Sequence, residues 1–271
     1  MGSKLTPLLI FCLVFFIKCL KTTSSHTNRE HGHQAPQHDQ KTLPSENDPE
    51  LSVFFHHNTL QTGTKLRLYF PTNEPSTSPR LLSRQESDSI PFSSSQLPSI
   101  LRLFSLTAAS KQALAMRATL DHCESPPITG ESKFCATSLE SMLDSLRSIF
   151  GFRSEFRVIT TNYPVGPMPV LRNYTVIEAP VEISARRIVG CHVLPYPYAV
   201  FYCHSQDSDN KLYEVSLSGE DGERVEAVAM CHMDTREWDS DHVAFRVLGI
   251  EPGGPPVCHF FPPDNLVWVS T

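Results

Sequence analysis

The chain has 271 residues, 40% of them hydrophobic and 19% charged, with a formal net charge of −6. That supplies one substantial core once terminal segments are set aside, so a single folded domain is the expectation. The acidic balance and the lack of a basic cluster exclude nucleic acid and anionic membrane faces as electrostatic partners.

Residues 1–25 place Lys4 before an almost unbroken apolar run from Leu5 to Ile17, followed by small polar residues around Thr22 to Ser25. This is the pattern of a secretory signal peptide. A run of about 13 residues falls short of the roughly 20 that a spanning helix needs, and no later stretch is more apolar, so no membrane span is expected after cleavage. Cys12 and Cys19 leave with the signal. Six cysteines remain in an oxidising route, where thiols end as disulfides and an all-thiolate zinc site is disfavoured.

Residues 26–50, HTNREHGHQAPQHDQKTLPSENDPE, are rich in His and Pro and almost free of apolar side chains, the composition of a disordered leader. His31, His33 and His38 are weak metal candidates there, and the leader holds no Trp or Tyr. The folded domain is expected over 51–271. Leu66, Leu68 and Phe70 alternate with Lys65, Arg67 and Tyr69 as in a half-buried strand. Asn73 to Ser95, with its Pro and Ser, reads as surface loop. QLPSILRLFSL and SKQALAMRATL read as helices, and so does TSLESMLDSLRSIFG, where Thr137 and Glu140 have capping-box spacing and Gly151 supplies the stop. Leu139, Met142, Leu143, Leu146, Ile149 and Phe150 form its apolar face. Cys123 and Cys135 close a loop containing Pro126, Pro127 and Gly130, where a disulfide would fasten the following helix at roughly 3 kcal/mol of unfolded-state entropy.

Beyond Gly151 the helical period disappears. FRVIT, YTVIEAP, RIVGCHV, YAVFYCH, LYEVSLSG, VEAVAMCH, VAFRVLGI and LVWV are short, β-branched or aromatic, and separated by turn residues, so an antiparallel β half follows a helical one in an α+β fold. Four Cys-His dipeptides sit on or at the ends of these strands: Cys191-His192, Cys203-His204, Cys231-His232 and Cys258-His259. Neighbouring side chains on a strand point to opposite faces, so sulfur and imidazole are sorted to different sides of the sheet. A hairpin turning at Tyr196 to Tyr198 would set Cys191 opposite Cys203 and His192 diagonal to His204. The four cysteines form two disulfides in one of three connectivities, which the hairpin argument alone does not choose between. The four histidines could converge as a nitrogen-rich site suited to copper or zinc. Asn173-Tyr174-Thr175 is the acceptor sequon for a glycan. Ser, His and Asp are plentiful, but there is no GxSxG elbow for charge-relay hydrolysis.

The gaps read CH-x10-CH-x26-CH-x25-CH-x8-W, ending at Trp268. With Phe54-Phe55 upstream, GESKFCATSLESM around Cys135, and the stretches YPYAVFYCH, CHMDT and PVCHFFP, this resembles the plant BURP domain family. The short leader without repeats is most similar to its seed-protein and microspore-embryo branch. The resemblance implies a secreted, wall-associated or storage-vacuole protein of seed or reproductive development, acting as a non-catalytic structural domain or binding a protein or cell-wall partner. Its alternative implication is a copper-dependent oxidative cyclase that crosslinks Tyr or Trp in a peptide, with His192, His204, His232 and His259 as copper ligands. The leader lacks an aromatic nucleophile and Trp238 and Trp268 lie deep in the domain, so the expected substrate is a peptide in trans or a tyrosine of the fold such as Tyr196 or Tyr198.

Overall fold

A computed structural model describes residues 51–70, 78–163 and 171–270. The expected signal and leader lie outside the described residues. Two antiparallel sheets form the body. In the first, β1 (Phe54–His56), β11 (Val257–Phe261), β10 (Arg224–His232), β9 (Asn210–Gly219), β5 (Arg172–Val176) and β2 (Lys65–Leu68) follow one another in that order, and β6 (Val181–Ile183) pairs with the free stretch of β9. In the second, β3 (Glu131–Ala136), β8 (Val200–Gln206), β7 (Ile188–Leu194), β12 (Leu266–Ser270) and β4 (Phe156–Ile159) lie side by side.

The alternation of side chains along these strands builds three packed layers. Leu212, Val228, Met230 and Phe261 of the first sheet meet Ile159, Val267 and Val269 of the second, joining the sheets face to face. On the far face of the first sheet, Val215, Leu217, Ala227, Ala229 and Phe260 pack under Phe55, Leu66, Leu68, Phe70 and Tyr174. On the far face of the second, Val189, Cys191, Cys203 and Trp268 pack against Met142 and Leu146 of helix α4 (Leu139–Phe150). Helix α1 (Arg84–Asp88) precedes two longer helices, α2 (Leu97–Leu103) and α3 (Lys111–Glu124), whose Leu97, Ile100, Met116 and Leu120 enclose the β7–β8 turn.

The α+β class holds, with several corrections. VAFRVLGI is not a strand: Val243–Leu248 is helix α5, capped at its start by His242 Nδ1, which accepts from Ala244 N–H, and at its end by left-handed Gly249. Six residues, five of them apolar, are too few to carry a period by which strand and helix separate. ESKFCA, taken into the Cys123 to Cys135 loop, is strand β3, and with β1 and β2 it gives the N-terminal half three strands. The surface loop of 73–95 contains α1, nucleated by a Ser83–Glu86 capping box. The cap of α4 is Ser138 with Ser141, not Thr137 with Glu140, and this turns Leu139 outward at 42% exposure. Among the described residues no helix is long and apolar enough to cross a membrane.

Candidate functional site

Strand pairing realises the sorting of sulfur from imidazole. Cys191 faces Cys203 across the β7–β8 hairpin and the two form a disulfide, and Cys231 faces Cys258 across β10–β11 and does the same. This selects one of the three connectivities. The third disulfide joins Cys123 at the end of α3 to Cys135 on β3. Both strand-bridging disulfides lie on outer faces, the first beneath α4 and the second in the cluster with Phe55, Leu66 and Tyr174.

The adjacent imidazoles therefore all point inward, between the sheets. Ring centroids are 5.5 Å apart for His192–His204, 6.5 Å for His204–His232, 5.5 Å for His232–His259 and 5.8 Å for His259–His192, closing a four-membered ring with two histidines from each sheet. Phe261 stacks on His192 at 5.2 Å. Gly190 permits this, because a Cβ there would stand 3.1 Å from the Phe261 ring. Phe54 packs edge-on to His259 and Trp238 lies 4.9 Å from His232. Burial is the main cause holding His192 and His232 well below the usual imidazole range, seconded by their histidine neighbours, and it pushes His259 and His242 down to about 4. These rings are neutral at pH 7, the form that binds metal.

A second layer of polar partners orients the rings. Glu131 Oε1 faces His204 Nδ1 at 3.1 Å and also accepts from the Tyr202 hydroxyl at 3.2 Å. Burial raises the Glu131 carboxyl, but the His204 bond, the Ile128 N–H and the Tyr202 hydroxyl outweigh it and hold the group below the usual carboxylate range. Asn210 Oδ1 lies 2.8 Å from His232 Nδ1, while its amide nitrogen donates to the carbonyls of Gln206 and Ser208. The Phe260 carbonyl is 3.4 Å from His259 Nδ1. Each of these acceptors calls for an Nδ1–H, which leaves the lone pair on Nε2.

Whether this set suits a metal can be judged from His232 and His259. Their Nε2 atoms stand 3.4 Å apart, both buried. With both protons on Nδ1, two lone pairs confront each other without a hydrogen between them, an arrangement that a shared cation relieves. Two imidazole nitrogens on one tetrahedral ion at 2.0–2.1 Å lie about 3.3 to 3.4 Å apart. The residues fit in chemistry and in the spacing of this pair. Among the described residues no three donors are drawn together tightly enough to close round an ion.

The remaining expected residues fall elsewhere. Tyr196 and Tyr198 sit in the core beneath α2 and α3 against Phe92 and Phe104, not among the imidazoles, and a phenol and an indole that do lie beside the quartet are those of Tyr202 and Trp238. Trp268 packs on Phe156 behind the second sheet, and Phe55 packs on Phe260. Asn173 is exposed on β5, its amide donating to Glu220. Glu131, Asn210, Asn265 and His242 carried no sequence signal beyond their polarity in or beside turns.

Two strand pairs, each bridged by a disulfide on its outer face and offering two imidazoles on its inner face, define a disulfide-stapled β-sandwich with a buried histidine quartet. The chain belongs to the BURP domain family, which matches residues 53–270. It is 47% identical over 228 residues to BURP domain protein USPL1 of Arabidopsis thaliana and 48% identical over 228 residues to BURP domain-containing protein BNM2C of Brassica napus, in each case covering 82% of this chain and 81% of the relative. Protein RAFTIN 1B of Triticum aestivum is 41% identical over 221 residues, 81% of this chain and 60% of that protein.

Proposed function

We propose that this BURP-domain chain is a copper-binding protein of the secretory pathway in which the CH histidines hold the metal and the adjacent cysteines hold the strands. The observation that carries this reading is the buried pair of facing Nε2 atoms of His232 and His259. Neutral imidazole favours copper over the other divalent first-row ions. Copper bound there would supply one-electron oxidation of a phenol or indole. The chain's own residues fix the imidazole rings through Glu131 and Asn210, and the sandwich excludes water from His232 and His259, which are 3% and 9% exposed. The apolar run of residues 5–17 and the three disulfides support the secretory route, outward or to a storage vacuole.

Titration of copper(II) into oxidised, metal-stripped protein tests the reading. Stoichiometric retention after desalting, lost on His232→Ala and His259→Ala, is expected, and substoichiometric retention by the wild type would sink it. A second reading, a non-catalytic domain binding a wall or storage partner in seeds or reproductive tissue, is favoured by the lack of Trp and Tyr in residues 26–50. Incubating copper-loaded protein with Tyr- and Trp-containing peptides in air separates the two. A crosslinked product identifies an enzyme acting in trans, and copper retention without any product supports the non-catalytic domain.

A further inference from the structure

The four CH histidines are not chemically equivalent, and the difference lies in the turn between β11 and β12. Asn265 is 8% exposed, and its side chain touches both the backbone of β7 and the ring of His192. Its Oδ1 lies 3.2 Å from Val193 N, a group that can only donate, so the oxygen is fixed on that side. The other amide atom, Nδ2, is 3.1 Å from His192 Nδ1, and an amide nitrogen can only donate. His192 Nδ1 must therefore accept, which places the proton of the neutral ring on Nε2. His204, His232 and His259 each face an acceptor at Nδ1 and so carry a proton there.

We infer that the quartet divides three to one: His204, His232 and His259 present Nε2 lone pairs, while Asn265 holds His192 as the Nε2–H tautomer, a hydrogen-bond donor rather than a fourth nitrogen ligand. Asn265 is the positioning residue for this division. The His192 ring lies 5.5 Å from that of His204 and 5.8 Å from that of His259, which sets it beside the other members of the quartet. A metal held by three histidines would keep a coordination position free, as catalytic sites do and structural ones do not. The His192 N–H then suits an oxygen atom of a ligand brought to that position, a carbonyl or phenolate oxygen in preference to an amine. Turning the amide over to free His192 Nε2 would set two donors, Nδ2 and Val193 N–H, against each other.

The inference rests on the metal-site reading for its consequence but not for the tautomer, which is measured on metal-free protein. In 15N-resolved imidazole spectra of the wild type, His192 should give the Nε2–H pattern and the other three the Nδ1–H pattern. Asn265→Asp keeps an acceptor for Val193 N–H while offering His192 Nδ1 an acceptor, so His192 should switch to Nδ1–H. In copper(II) binding, His192→Ala should weaken affinity less than about fivefold, whereas His204→Ala, His232→Ala and His259→Ala each weaken it by more than about 100-fold, and Asn265→Asp should strengthen it about tenfold. Electron paramagnetic resonance should show one more coupled nitrogen in Asn265→Asp than in the wild type. An Nδ1–H pattern for His192 in the wild type, or a loss in His192→Ala equal to the other three, would overturn the division. Wild-type protein that binds no copper yet shows the three-to-one tautomer pattern would sink the metal reading alone.

Discussion

Acid should unfold the metal-free protein over a window set by its buried imidazoles. Folding lowers the pKa of His192, His232, His242 and His259, so the unfolded chain binds more protons than the native one below the ordinary value of 6.5. Stability is then fully present above pH 6.5 and lost as pH falls towards about 4, where His242 and His259 begin to protonate in place. Each such imidazole costs on the order of 1–2 kcal/mol by pH 5, so the four together remove several kcal/mol. That is comparable with the entire stability of a typical domain, roughly 5–15 kcal/mol. The exposed carboxylates paired with Arg80 and Arg236, Glu86 and Asp234, are held at about 2 and contribute nothing in this window. Urea unfolding at pH 7.5 to 5 with disulfides intact, followed by the fluorescence of Trp238 and Trp268, measures the loss. His232→Gln should flatten the dependence by about 2 kcal/mol at pH 5, and saturating copper should move the acid transition downward because it competes with protons for the same lone pairs. A stability that changes by less than about 1 kcal/mol between pH 7 and pH 5 would refute the neutral burial of His192, His232, His242 and His259.

Removing the β10–β11 disulfide as Cys231→Ala/Cys258→Ala, which opens a 27-residue separation, should cost about 3.5 kcal/mol in denaturant. His232→Ala should instead leave all three disulfides intact by non-reducing peptide mapping, since the imidazole and the staple lie on opposite faces. Gly190→Ala drives a methyl into the Phe261 ring on which His192 stacks, and should destabilise by about 1–3 kcal/mol, read from the denaturation midpoint. Protein secreted from a eukaryotic host should carry glycan at the exposed Asn173, read as a mass decrease on enzymatic deglycosylation that Asn173→Gln abolishes.

What the sequence disclosed follows the range of its signals. Period-two alternation and the Pro-Tyr-Pro turn sufficed to set Cys191 against Cys203, because hairpin register is local. The pairing of Cys231 with Cys258 needed β10 beside β11, and helix α5 and a turn lie between them, so connectivity stayed open until the sheet order was known. VAFRVL was misread because its six residues suit a buried helix and a buried strand equally. ESKFCA was misread because Pro126, Pro127 and Gly130 just upstream mask a strand whose partner, β8, lies 70 residues on. The histidines were legible through fourfold repetition. Glu131, Asn210 and Asn265 were not, since their role depends on which ring each meets in space.

On the copper-binding proposal, the disulfide behind each imidazole pair would also impose an order on oxidation and metal loading. A nascent chain with reduced thiols offers copper four soft sulfurs next to four nitrogens, and the sulfurs would win. Oxidation takes every one of those competitors out of play while drawing the strands, and with them the imidazoles, into register. On that proposal, loading would follow oxidative maturation, and a chain that met copper while still reduced would carry it on the wrong atoms.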